Sequence, residues 1–210
     1  MSLAPYYPAL IILIGAIIVA FGGFWAAWRQ TNFNARLNEK NNEIIALQDQ
    51  QIQYVTGGDS YPLIIPLFTG TERISMSLHA SGKYPIYDFQ ITIVDQDMFA
   101  LLLKQFGGNS VDWEYVSKNA ETTFTIGNMG PDHARMVADF ALDKKTGTRN
   151  FVINFLARNG HVREEMRLRT VKDKWGIENE RWVVALKAYN QQGILESKID
   201  PEYPKDQLWK

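Results

Sequence analysis

Residues 151–171 read FVINFLARNGHVREEMRLRTV, and this stretch decides the fold. Asn159-Gly160 stands between two strand-like runs, and Asn-Gly is the strongest short-range signal for a β-hairpin turn. After the turn, Arg163, Glu165, Arg167 and Arg169 recur at every second position. Side chains on a strand alternate between its two sides, so these four project from a single face. The run before the turn, Phe151-Val-Ile-Asn-Phe-Leu156, is apolar on both faces, as is Trp182-Val-Val-Ala-Leu186 further on. One side of such a strand meets an opposing sheet; the other needs a helix, a stalk or another subunit to cover it.

The same period of two extends outward. Ile74, Met76, Leu78 and Ala80 alternate with Ser75, Ser77 and His79, and Phe89, Ile91 and Ile93 alternate in the next run. Further strands are expected over 122–126, 136–142, 162–171 and 182–189, with turns at 81–83, 143–147 and 190–193. Pro62 and Pro66 restrict their segment to an edge or bulged strand, because proline donates no ladder hydrogen bond. One segment breaks the pattern. Met98, Phe99, Leu102, Leu103 and Phe106 share a helical face, with Asp97 to cap its start and Gly107 its end, and this helix is expected to plug an open end or flank of the sheets. Seven or more antiparallel strands with short turns predict an immunoglobulin-like antiparallel β-sandwich with one short helix over 58–204, and 205–210 read as a C-terminal tail.

The amino-terminal end is of another kind. No charged residue or histidine occurs over 1–28, and residues 8–28 read PALIILIGAIIVAFGGFWAAW. As a helix this run spans roughly 30 Å, the thickness of a bilayer's hydrocarbon core. Tyr6 and Tyr7 at one end and Trp25 and Trp28 at the other fit the headgroup zones. A signal peptide would carry basic residues ahead of a shorter apolar core, so a transmembrane helix in contact with the lipid bilayer is expected. Arg29, Arg36 and Lys40 follow the span, which predicts a cytoplasmic carboxy-terminal domain, with a periplasmic one as the alternative. Within the span Ala16, Ala20, Gly23 and Ala27 form a smooth face on which two helices pack closely.

Residues 29–57 read as a helical stalk, rich in Asn and Gln. Phe33, Leu37, Ile44, Leu47 and Tyr54 follow a heptad seam, and Lys40 and Gln51 interrupt it. The seam leaves two readings open: a short coiled coil in a homo-oligomer, or a stalk standing alone. Gly57-Gly58 ends the helix.

With 22 Lys+Arg against 23 Asp+Glu and a net charge of -1, the chain lacks the basic excess of a nucleic-acid binder. It has no cysteine, which excludes disulfides, thiolate metal sites and cysteine nucleophiles. No phosphate loop, dinucleotide fingerprint, nucleophile elbow or zinc-protease motif is present. Asp95-Gln-Asp97 offers too few oxygens for calcium and reads as a strand end that caps the next helix. His79 and His161 have no partner at ligand spacing. No catalytic, metal or cofactor residue is therefore expected.

The strings Thr56-Gly-Gly-Asp-Ser-Tyr-Pro62, Ser81-Gly-Lys-Tyr-Pro-Ile-Tyr-Asp-Phe89, Ile126-Gly-Asn-Met129 and Ala157-Arg-Asn-Gly160 resemble those of a group of bacterial single-pass membrane proteins with an N-terminal helix, a stalk and a C-terminal β domain. The resemblance implies that architecture and the bacterial inner membrane, and it implies no activity. Gly82 and Pro85 flank a tight turn there, a role in the fold rather than in chemistry.

Two functions are expected from these readings. One is a membrane-anchored, non-enzymatic module that binds or scaffolds a protein partner, with Arg163, Glu165, Arg167 and Arg169 as its interaction face toward an acidic partner or anionic lipid. The other is a hydrolase-like enzyme with Asp59, Asp88 and Asp95 assembled in a cleft at the sandwich edge. Polar substitutions at Ala16, Ala20 and Gly23 are expected to weaken any self-association in detergent; an unchanged oligomer size on analytical ultracentrifugation would remove this face from the argument.

Overall fold

The computed structural model describes residues 7–70, 72–106, 110–142, 145–172 and 180–209. Tyr6, expected at the headgroup level, Gly107, expected to stop the short helix, and Asp143 and Lys144 of the second turn lie outside them. Two compact units divide the chain, Met1–Gln51 and Ile52–Lys210.

The described residues of the first unit belong to α1 (Tyr7–Thr56), a helix of 50 residues. Its early part is long and apolar enough to cross a membrane, with a mean hydropathy of 2.5 and none of that window buried. The core helix of a globular domain would bury such surface, whereas Ile12, Ile18, Val19 and Phe21 are all exposed. α1 is thus a candidate membrane span by length, composition and exposure.

In the second unit the elements follow one another as β1 (Tyr61–Thr69), β2 (Arg73–Ser81), β3 (Ile86–Asp95), α2 (Gln96–Gln105), α3 (Trp113–Ala120), β4 (Glu121–Met129), β5 (Ala134–Ala141), β6 (Thr148–Ala157), β7 (Gly160–Lys172), β8 (Glu180–Asn190) and β9 (Gly193–Ile199). They form two antiparallel sheets, ordered β1-β2-β5 and β4-β3-β6-β7-β8-β9. The chain changes sheet three times, between β2 and β3, β4 and β5, and β5 and β6. One core lies between the sheets: Ile74, Met76 and Leu78 from β2 meet Phe89, Ile91 and Ile93 from β3 and Phe151, Ile153 and Phe155 from β6. These are the alternating apolar positions of the sequence, and each such side chain taken out of water contributes about 1.5–3 kcal/mol. β1, with its two prolines, pairs only with β2 and is an edge strand, as those prolines require.

The segments at 56–62, 81–89, 126–129 and 157–160 come together where α1 ends. Gly57 and Gly58 take φ of 92° and 51°, and the Gly57 N–H donates to Gln53 O at 3.0 Å, closing the helix. Ser60 Oγ accepts from the Tyr84 N–H at 2.8 Å, and Asn159 donates to the Ser60 carbonyl. A side chain on Gly82 (φ 115°) would collide with Ser60, so this turn admits only glycine. Arg158 stacks over Tyr87 at 5.2 Å, pairs with Asp88 and donates to the Val55 carbonyl at 3.3 Å. Asp88 in turn takes φ of 49° and donates its N–H to Asn128 Oδ1 at 3.2 Å.

Three expectations are corrected. Two short helices are present, not one: Asp112 caps α3 by accepting from the Tyr115 N–H at 3.1 Å, and Val116 and Ala120 of α3 pack with Leu102 of α2. The apolar face of α2 is therefore covered by α3 rather than plugging the sheets. Its cap is Asp95, which accepts from the Met98 N–H at 3.0 Å; Asp97 instead accepts from the Asn150 N–H at 2.7 Å and fixes α2 beside β6. The residues after β9 fold back onto β8. Tyr203 is buried against Val183 and Ala185, and Leu208 and Trp209 pack around them, covering the second apolar face of β8. The fork of Arg181 to Asp200 and Glu202 holds the chain reversal that brings them there.

Tyr203→Ala is expected to lower stability by about 2–4 kcal/mol, the usual cost of emptying a buried aromatic site. A urea midpoint equal to that of the unsubstituted chain would show that this cover contributes nothing.

Candidate functional site

β7 is the hinge of the site because its two faces do different work. Val162, Glu164, Met166 and Leu168 point into the core, and Arg163, Glu165, Arg167 and Arg169 point outward, half-buried. The expected interaction face is thus assembled on one surface. Its register with β6 and β8 sets Asn150 beside Arg167, Lys187 beside Glu165 and Tyr189 beside Arg163.

Each side chain is held. Arg169 donates to Asn150 Oδ1 at 3.0 Å and to Gln207 Oε1 at 2.9 Å, bridging β6 and the C-terminal segment. Arg167 lies over the Trp209 ring at 5.1 Å and donates to the Gln207 carbonyl at 3.4 Å, while Lys187 approaches the same ring at 5.8 Å. Trp209 keeps φ of 38°, a conformation uncommon for a bulky residue. Glu165 accepts from the Tyr189 hydroxyl at 2.6 Å and lies 3.6 Å from Arg163. Burial, and then the bond to Glu165, push the Tyr189 phenol above its ordinary value. The Arg163 Nε is buried without a hydrogen-bond partner.

These groups line a cleft of ≈ 470 Å³, walled by Gln96 and Asn150 and floored by Arg163, Glu165, Arg167 and Arg169. A neighbouring depression of ≈ 280 Å³ shares Glu165 and is lined by Lys187, Tyr189, Ile194 and Trp209. Among the described lining residues, Arg163, Arg167, Arg169 and Lys187 are the cations and Glu165 is the carboxylate, a balance that favours negative charge.

The sequence reading missed Lys187, Trp209, Gln207, Asn150 and Gln96, all of which come from other elements. It also missed Glu164, whose inward position follows from the alternation of β7. This carboxyl is fully buried: Oε2 accepts from the Ile64 N–H at 2.8 Å and Oε1 has no partner. β1 is an edge strand, so Glu164 satisfies one of its outward backbone donors from the opposite sheet. Loss of water pushes its pKa from the ordinary 4.5 up to about 8; the Ile64 N–H opposes this and the Glu196 carboxylate adds to it.

The carboxylates considered for an enzyme are dispersed. Asp88 pairs with Arg158 at the start of β3, and Asp95, at its other end, is bound to Arg149 and to the cap of α2. Seven steps along the strand separate these two by roughly 23 Å. Asp59 is exposed in the turn after α1. No group of three or more His, Asp or Glu able to hold a metal occurs among the described residues. On α1, the small-residue face Ala16, Ala20, Gly23 and Ala27 is exposed, and a side chain on Gly23 would meet nothing within 4 Å. No family model, no curated protein and no solved structure matches this chain.

Glu164 gives a pH prediction. Below about pH 4.5 it is neutral whether the chain is folded or not. Between 4.5 and about 8 the folded chain keeps a proton that the unfolded chain has released, so stability falls as pH rises through this window and then levels off. Glu164→Gln keeps an acceptor for Ile64 and cannot ionise. Its urea midpoint is expected to lose most of that slope and to exceed the unsubstituted value at pH 8; an unaltered slope would assign the effect elsewhere.

Proposed function

We propose that this chain is a membrane-anchored, non-enzymatic β-sandwich that binds a protein partner through the outer face of its six-stranded sheet. The observation that carries the reading is the basic cleft, assembled by β6, β7, α2 and the C-terminal segment rather than by one charged strand. Arginines half-buried and aimed by fixed neighbours keep more of their attraction than a solvated row, because they have less water and less entropy to lose on contact. The enzymatic alternative would require Asp95 to leave the helix cap and Arg149, and it draws no support from that placement.

Residues 8–28 are read as the bilayer anchor and 29–56 as a helical stalk. Arg29, Arg36 and Lys40 favour a sandwich on the cytoplasmic side of a bacterial inner membrane. The face of Ala16, Ala20, Gly23 and Ala27 supports a homo-oligomer. The sandwich is read as immunoglobulin-like: β1-β2-β5 against β4-β3-β6-β7 parallels the A-B-E and C′-C-F-G strand order, and β8 and β9 extend the second sheet. That extension supplies the surface on which the cleft is built.

A photoreactive amino acid placed at Gln96 or Lys187 of the full chain in its native membrane is expected to give a discrete protein adduct. The same group at Met136, exposed on the other sheet, is expected to give none. Equal labelling from both sheets, or no adduct from positions 96 and 187, would overturn the reading.

A further inference from the structure

We infer that the basic cleft takes an extended acidic segment of the partner, with carboxylates at positions i, i+4 and i+6 and none at i+2. The inference rests on the protein-binding reading above and names the chemistry of the partner. Arg163, Arg167 and Arg169 share one face of β7, where successive outward side chains stand roughly 6.6 Å apart, so the row extends about 20 Å. An extended peptide has the same period. Its alternate side chains meet that row in step, and three carboxylates engage three guanidiniums at once. Glu165 occupies the second place of the row and is already held by Tyr189 and Arg163, so it repels an acid at i+2.

The walls select for a peptide over other anions. A single phosphate is too small to bridge cations spread over about 20 Å. A bilayer surface is flat, and it does not follow half-buried guanidiniums into a cleft walled by Gln96 and Asn150. Beside Arg163 and Glu165, across β8 and β9, lies the depression lined by Lys187, Ile194 and Trp209, where Ile194 is 63% exposed.

The test uses the full chain in detergent and a fluorescent synthetic peptide with Glu at i, i+4 and i+6, read by anisotropy. A peptide of identical composition with its three Glu contiguous is the comparator, and tripolyphosphate is the competitor. The spaced peptide is expected to bind about tenfold tighter than the clustered one, and to weaken about tenfold in Arg163→Gln/Lys187→Gln. Arg163→Lys, which keeps the charge, retains most of the binding and separates loss of charge from loss of fold. Equal binding of the two peptides, displacement by tripolyphosphate as effective as by unlabelled spaced peptide, indifference to the double substitution, or no binding would each overturn the inference. Adducts from positions 96 and 187 without peptide binding would sink the acidic segment and leave the protein-binding reading standing; absence of both would sink the two together.

Discussion

Val183 and Ala185 of β8 face away from the main core, yet both are fully buried, because Tyr203, Leu208 and Trp209 lie over them. The strand beside them has the opposite problem. β7 sends Val162, Met166 and Leu168 inward and a row of charges outward, and no apolar cover suits those charges. The six-stranded sheet therefore needs a cover that is partial: α2 beside β6, the C-terminal segment over β8, and open surface between. The cleft is the gap that remains. Its existence follows from burying two-sided apolar strands next to a one-sided strand, and its charge follows from what the one-sided strand carries outward.

The covers also organise the charges they leave exposed. Gln207 and Asn150 hold Arg169 from opposite sides, and Trp209 lies under both Arg167 and Lys187. An exposed ion pair contributes little because water and side-chain entropy compete with it. Arg169, held by the neutral Asn150 and Gln207 side chains, has instead lost much of its side-chain freedom in the folded chain. Glu164 shows the reverse arrangement on the inner face of the same strand. A carboxyl with one backbone donor and no cation beside it stays protonated at neutral pH, and it ties the edge of β1 to the opposite sheet at the expense of stability lost as pH rises from about 4.5 to about 8.

At the other end of the unit, the last turn of α1 is gripped by several weak contacts at once. Gly58 approaches Tyr84 so closely that a Cβ would lie 2.6 Å from its ring, and Ser60, Asn159 and Arg158 close around the same point. Four separate stretches of sequence meet there, each with a glycine or an asparagine. Close backbone approach and positive φ explain those residue types without any reference to chemistry.

The sequence alone determined the local features that depend on periodicity and backbone stereochemistry. The alternation of Ile74 to Ala80 placed the core face of β2, Asn159-Gly160 placed the β6–β7 turn, Pro62 and Pro66 marked the edge, and the uncharged run over 8–28 marked the candidate span. The row of Arg163, Glu165, Arg167 and Arg169 was legible for the same reason. α3 escaped although Asp112 and the Val116–Ala120 spacing signalled it, because eight residues give too short a periodic run. Asp97 looked like the helix cap until Asn150 claimed it, and Asp95 took that place. Only the tertiary structure decided what the row of arginines faces. Gln96, Lys187, Gln207 and Trp209 reach it from three distant stretches of chain, through sheet register and a C-terminal fold-back. A pattern confined to neighbouring residues carries no information about either, because both are set by long-range burial.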